Sequence, residues 1–404
     1  MTRFLFALAL LLLSGPLGRA QYSFTNIADS NSPTFNSFGS PTINSLGTVA
    51  FVSGLDAGPT GVFTSDGTTT TTIALSDIAT YNTFQGLSIN TAGTVAFTAN
   101  LSAGGDGIFR SDGTTTTTIA LTDAGYTSLG TSPSINDAGA VGFRATLSSS
   151  VQGVFISDGS TTTPIATAGA TYANFGSTPS INAAGVAAFG AGLTAGGSGT
   201  FTSNGTTTMT MALTGATFNS LGNPGINSSG TVGFYAGLTS GGSGLFISDG
   251  STTTPIAQTG ATYSAFDVFP SINDSGALAF RATLTAGGTG LFLGTGAGTT
   301  TVLKTGDSLF GSTLSSFTLG PRALNDASQI AFSYTLANGV KGVAIASPVP
   351  EPAPGLLLLC GGALLAARHF RNKSRAQSRD DFLASRISET PRSQADTSSL
   401  SNGA

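Results

Sequence analysis

The chain has one cysteine and no tryptophan among its 404 residues, and only 8% of them are charged. Between Gln21 and Ser347 the shortage is sharper. That segment has no His, no Glu and no Cys, and its fourteen Asp face four Arg and two Lys, a formal charge of −8. These absences remove whole classes of chemistry. Ser-His-Asp and Cys-His nucleophilic sets and His/Cys zinc clusters cannot be built, and only Asp, Tyr and two Lys remain for general acid–base work. Disulfide support is excluded as well, so the segment has to be stabilised by its own buried core. A surface this acidic and this poor in Lys and Arg repels a phosphate backbone, which argues against nucleic acid as a partner. No glycine-rich phosphate loop follows a strand, and no cofactor is expected.

What the chain has instead is glycine, threonine and a repeat. INSLGTVAF (Ile43 to Phe51) returns as INTAGTVAF (Ile89 to Phe97), INDAGAVGF (Ile135 to Phe143), INAAGVAAF (Ile181 to Phe189), INSSGTVGF (Ile226 to Phe234) and INDSGALAF (Ile272 to Phe280). A worn seventh copy, LNDASQIAF, runs from Leu324 to Phe332. The motif asparagines fall 45 or 46 residues apart, except for a step of 52 from Asn273 to Asn325. Self-similarity at this period means one supersecondary unit per repeat, stacked or closed into a ring.

Each unit reads as four strands. In the third, SPSIN (Ser132 to Asn136) meets a type I turn with Asn first and Gly139 fourth, where glycine takes the left-handed conformation. Ala140 to Leu147 alternates as a second strand, GVFIS (Gly153 to Ser157) is a third, and after the tight turn Ser157-Asp158-Gly159 comes a Thr-rich fourth. Four strands joined by short hairpins describe a propeller blade. The predicted fold is therefore all-β, a seven-bladed β-propeller of four-stranded blades. SPSIN lies innermost, the Thr run forms the outer edge, and the Phe of each AF and GVF fills the space between blades. Residues 76–86, 122–132, 167–178, 214–223 and 258–269 read as strandless crossings from blade to blade. The seventh unit stops at Pro348 one strand short, and Tyr22 to Ser30 resembles a fourth strand, so the N-terminus is expected to close the ring. An open β-repeat solenoid is the alternative.

The crossings repeat an aromatic position, at Tyr81, Tyr126, Tyr172, Phe218 and Tyr263. These rings are either stacking platforms for sugars or plugs between blades, and their recurrence in nearly every unit favours packing. On the opposite face stand Asp66, Asp112, Asp158 and Asp249 of the SDG turns, with Asp137, Asp274 and Asp326 of the Asn turns. Such carboxylates could hold calcium, but Asp is also the residue these turns prefer, and no dense D-x-D-x-D run occurs. Arg110, Arg144 and Arg281 recur in no full ring and read as solvated or paired.

Both ends depart from the repeat. Arg3, the apolar run FLFALALLLL and Gly18-Arg19-Ala20 read as a secretory signal over residues 1–20, which leaves 21–347 as the repeat domain. After Ser347 come Pro348-Val349-Pro350-Glu351-Pro352, the apolar GLLLLCGGALLAA and the basic Arg368-His369-Phe370-Arg371-Asn372-Lys373. That apolar stretch is short for a stable membrane span. Val-Pro-Glu-Pro, a short apolar run and a basic end resemble the PEP-CTERM sorting signal of Gram-negative bacteria. The Asn-x-x-Gly-x-x-Ala-Phe units resemble tandem-repeat surface proteins with interchangeable C-terminal anchors. The first resemblance implies recognition of Pro350, Glu351 and Pro352 by an exosortase, a membrane transpeptidase. It also implies transient inner-membrane insertion of 348–373 and delivery to the cell surface or exopolysaccharide matrix. One departure is that a polar tail rich in Ser, Arg and Asp, residues 374–404, follows the basic cluster and reads as disordered. If the signal does not act, the chain stays membrane-anchored. Cys360 inside the apolar run reads as a plain buried thiol.

The sequence thus points to an exported, non-enzymatic surface or matrix protein that binds a glycan or a protein. A carbohydrate-active enzyme on the same scaffold, an Asp-dependent hydrolase or lyase, is the alternative, since two carboxylates suffice for glycoside hydrolysis.

Overall fold

A computed structural model describes residues 21–350 apart from 57, 78 and 177, together with 371, 373–375 and 377–379. The secretory signal expected over 1–20 lies outside the described residues, as do Glu351, Pro352, Cys360 and the apolar run around it. Pro350 is described and exposed. Contacts divide the chain between Val349 and Pro350. In the second unit the described residues of the basic cluster and tail are helical, with the Ser374 hydroxyl donating to Arg371 O at 3.0 Å. The tail is therefore helical where described, as its Lys, Arg and Gln favour. Among the described residues no helix is long and apolar enough to cross a membrane.

The first unit is a closed ring of seven antiparallel blades. Blade 3 serves as the pattern. Its second strand, Val141–Leu147, pairs with Gln152–Ser157, which pairs with the outer strand Thr162–Thr167. The second strand also receives two short segments on its inner side, Tyr126–Leu129 and Ser134–Ile135. This corrects the reading of the crossings as strandless. Tyr126–Leu129 and its counterparts Tyr172–Phe175, Phe218–Leu221 and Tyr263–Phe266 are the first half of the innermost strand. In blade 2 the two halves run on as one strand, Tyr81–Ile89, with register shifts at Tyr81/Thr83 and Phe84/Leu87. A bulge at this point re-aims the chain without ending the pairing.

Closure comes from the N-terminus. Gln21–Asp29 pairs antiparallel with Lys341–Val349, from Gln21 opposite Val349 to Asp29 opposite Gly342, and supplies the outer strand of blade 7. Tyr334 Oη donates to Asn26 Oδ1 at 2.9 Å and ties the two ends of the chain together. The open solenoid is excluded. The 52-residue step holds an added small hairpin, Ser308–Leu309 against Ser312–Thr318, ahead of the worn seventh motif.

The core lies between blades, where the sequence placed it. Phe51, Phe97, Phe143, Phe189, Phe234, Phe280 and Phe332 are all fully buried. In blade 3 Val141, Phe143 and Ala145 face blade 2 and meet its Ala96, Ile108 and Ile119. Phe143 stacks on Phe155 of the neighbouring strand at 5.7 Å. The glycine of each GVF is explained here: a Cβ on Gly107 would sit 2.4 Å from the Phe109 ring. The outer strand exposes its threonines and carries Pro164, which an edge tolerates. Its register shift opposite Val154/Phe155 leaves Ile165 unpaired and buried in the next interface.

Candidate functional site

The motif asparagine does more than start a turn. In blade 3 Asn136 Oδ1 accepts from Ala140 N at 2.9 Å, which fixes the turn, and Gly139 stands in the left-handed region at φ 80°. The Asn136 side-chain amide then donates to Asn182 O of the next blade at 3.3 Å. The same bond recurs around the ring, from Asn44 to Asn90 O at 3.0 Å, Asn90 to Asn136 O at 3.2 Å, Asn182 to Asn227 O at 3.3 Å and Asn227 to Asn273 O at 3.2 Å. Asn273 donates to Asn325 O at 3.4 Å, and Asn325 completes the circle on Asn44 O at 3.0 Å. Seven buried amides thus form one closed chain of blade-to-blade bonds. Above it lies a central cavity of about 270 Å³ floored by the motif Ile and Asn residues.

The acidic turn face is spent on structure. Asp137, Asp274 and Asp326 each accept, at 2.8 Å, the backbone N–H of the preceding blade's turn (Thr91, Ser228 and Asp274 respectively). In the SDG turns Asp158 Oδ1 takes the N–H of Ser160 and Thr161 and the Ser160 hydroxyl. These bonds, led by the Thr161 N–H, hold its carboxyl at about 2, below the usual Asp range, and the equivalent bonds do the same for Asp66, Asp112 and Asp249. Among the described residues no three His, Cys, Asp or Glu side chains come together as a metal site.

Two grooves between blades open on this face. One, of about 210 Å³, is lined by Thr94, Arg110, Asp112, Thr115, Thr117 and, from blade 3, Gly139. The other, of about 380 Å³, lies two blades on and uses the corresponding positions: Val186, Thr202, Met209 and, from blade 5, Gly230, with Met211 and Asp249 beside them. The first is walled by threonine hydroxyls and Asp112 beside Arg110, and the second adds the apolar Val186, Met209 and Met211 to its hydroxyls and Asp249. Arg110 Nη1 donates to Gly139 O and stays half-buried, while Met209 is 50% exposed. Sequence reasoning missed both grooves. The signal was present at two facing strand positions: Arg110 among Thr64, Ile156, Thr202, Ile247 and Leu293, and Met209 among Thr71, Thr117, Thr163, Thr254 and Thr300.

On the crossing side the flagged aromatics are packed. Phe218 and Tyr263 are buried, and Tyr81, Tyr126 and Tyr172 are half-buried. Each lies edge-on against the two phenylalanines of its own blade, as Tyr126 does against Phe143 at 6.0 Å and Phe155 at 5.9 Å. Burial raises the phenol pKa of Tyr81, Tyr126 and Tyr172. Of the scattered arginines, Arg281 is paired with Asp267 at 2.9 Å. Of the sorting residues Pro350 is exposed, and Glu351 and Pro352 lie outside the described residues.

Among solved structures, an oligogalacturonate lyase from Vibrio parahaemolyticus is similar at a TM-score of 0.51 and 12% identity, covering 83% of this chain and 99% of its own. A mutant Aleuria aurantia lectin in complex with alpha-methyl-L-fucoside gives 0.40 at 12% identity, over 67% of this chain and 96% of its own. YCF48 from Cyanidioschyzon merolae gives 0.37 at 12% identity, over 80% and 99%. At these identities the likeness to the lyase concerns the propeller fold and not the activity. No curated protein matches the chain. Residues 65–267, just over half of the chain, match a family described as of unknown function, DUF7453, and the chain belongs to that family.

Proposed function

We propose that the protein is a non-enzymatic glycan-binding scaffold of the cell surface or exopolysaccharide matrix, with its sugar sites in the inter-blade grooves of the turn face. The observation that carries this reading is the pair of corresponding grooves at Arg110 and Met209, the first walled by threonine hydroxyls, Arg110 and Asp112, the second by methionine and valine side chains beside hydroxyls, and the larger of them near the lower end of the size of small-ligand pockets. Threonine hydroxyls, Asp112 and Asp249 offer donors and acceptors for sugar hydroxyls. Arg110 adds a fixed cation for an acidic residue, and the Met209 thioether adds an apolar wall for a C–H face. Two weak sites on one rigid ring gain avidity on a polymer that presents many copies of the same sugar. The export signal expected at 1–20 and the PEP-CTERM-like segment at 348–373, with its exosortase, fit a protein handed to that location. The absence of His, Glu and Cys from 21–347 supports binding over turnover.

A glycan array probed with the protein, run beside an assay for oligosaccharide release, tests the reading. Retention of an acidic or neutral polysaccharide without release is expected, and so is its loss in an Arg110→Ala, Met209→Ala double variant that melts like the parent. Released oligosaccharide would overturn it in favour of an Asp-dependent hydrolase or lyase.

A further inference from the structure

Arg322 stands in the segment between the inner strand of blade 7 and its Asn turn, and its backbone carbonyl accepts from Ile43 N at 3.1 Å and Thr42 Oγ1 at 3.0 Å of blade 1. Its side chain reaches the far side of the ring. Nη1 donates to Pro133 O of blade 3 at 3.3 Å and Nη2 to Pro179 O of blade 4 at 3.0 Å. The guanidinium is thus held by two neutral carbonyls inside the channel, and burial lowers its pKa to about 10. Among the described residues no carboxylate lies within ion-pair distance of it, although Asp outnumbers Arg and Lys together in this part of the chain. The Nε of Arg322 and the hydroxyl of Thr178 are buried and unbonded. Both residues line one cavity of about 10 Å³, together with Ser180, Asn223 and Pro270.

We infer that this cavity is a binding site for one monatomic anion, chloride under ordinary conditions, held between the Arg322 guanidinium and the Thr178 hydroxyl. The volume selects the class. It offers room for one single-atom occupant and not for acetate, phosphate or a sugar carboxylate. Charge selects the anion over water: a water would satisfy the two hydrogen-bond donors, but the half-buried guanidinium, bonded otherwise only to two neutral carbonyls, would remain unneutralised. Bound there, the ion ties blade 7 to blade 4 across the axis and complements the asparagine circle on the opposite side of the ring.

Diffraction from crystals of the protein soaked in bromide reads the site directly. The expected result is an anomalous peak within hydrogen-bond reach of Arg322 Nε and Thr178 Oγ1. In parallel, melting at fixed ionic strength should rise by about 2 °C or more when gluconate is replaced by chloride, and should saturate. Thr178→Val, which leaves the carbonyl contacts of Arg322 in place, should reduce that difference, whereas Arg322→Met should abolish it or fail to fold. A cavity holding only water, with equal melting in the two salts, would overturn the inference. So would a bromide peak found only at the highest concentration and without any salt difference in melting.

Discussion

At the scale of single residues, the motif asparagine is what a repeat of this kind can least do without. Its two ends do different work: Oδ1 shapes the turn inside one blade, and Nδ2 reaches the next. Asn136→Ala removes both and leaves the Asn182 carbonyl and the Ala140 N–H short of partners in a buried setting. The expected cost is about 1–3 kcal/mol, measured by denaturant unfolding, and a value near zero would mean that water replaces the amide. Half of this role was legible in the sequence, because Asn followed three residues later by Gly is a turn signature. The other half was not, since no spacing reveals which carbonyl of a neighbouring blade will lie beside the amide. Ser328 shows the same limit. The worn seventh copy lacks the glycine, yet Ser328 still adopts a left-handed φ of 57°, and its hydroxyl lies 3.4 Å from the Asn273 amide.

The SDG aspartates give a second residue-scale test. Their carboxyls are held at about 2 in the fold, against about 3.9 in a free chain. A depressed folded pKa means that the stabilisation is fully present above the unfolded value and is lost as pH falls from about 4 through about 2. Asn204 already makes the same three bonds without a charge. Replacing Asp66, Asp112, Asp158 and Asp249 together by Asn should therefore leave the melting temperature at pH 7 nearly unchanged and flatten its fall toward pH 3. An acid limb as steep as the parent's would place the acid-sensitive groups elsewhere.

At the scale of elements, the strands that carry hydrophobic alternation were all readable, and so was the hand-over of the outer strand in blade 7. The first half of each inner strand was not. Tyr126–Leu129 has polar residues in the middle and is cut off from Ser134–Ile135 by a Gly-Thr-Ser-Pro stretch, so neither period nor length announced it. Its pairing with Val141–Leu147 is a tertiary fact, and that pairing turned five suspected ligand-face aromatics into packed ones. The closing strand is the most exposed to test. Deleting residues 21–30 removes the buried Ile27 and Ala28 and the register from Gln21 to Asp29, and uncovers the edge of Lys341–Val349. Losing one buried aliphatic side chain costs about 1.5–3 kcal/mol before the backbone bonds are counted. The melting temperature of the truncated protein should fall by about 5 °C or more, and the open edge should promote self-association. A truncated ring that melts like the parent would show that the asparagine circle suffices for closure.

At the scale of the whole molecule, uniformity and exception divide the labour. What repeats builds the ring: the Asn turn, the paired phenylalanines, the SDG turn and the bulged aliphatic of the outer strand. What fails to repeat is where specificity can reside, and the two exceptions that open grooves, at Arg110 and Met209, lie on the same face two blades apart. The most direct measurement is a hydrogen-exchange footprint of the protein with a polysaccharide it retains. The account predicts slowed exchange in the turns around Thr94, Thr115 to Thr117 and Gly139, and around Val186, Met209 and Gly230, with the crossing side unchanged. Protection confined to the crossing segments that contain Tyr81, Tyr126 and Tyr172 would contradict it.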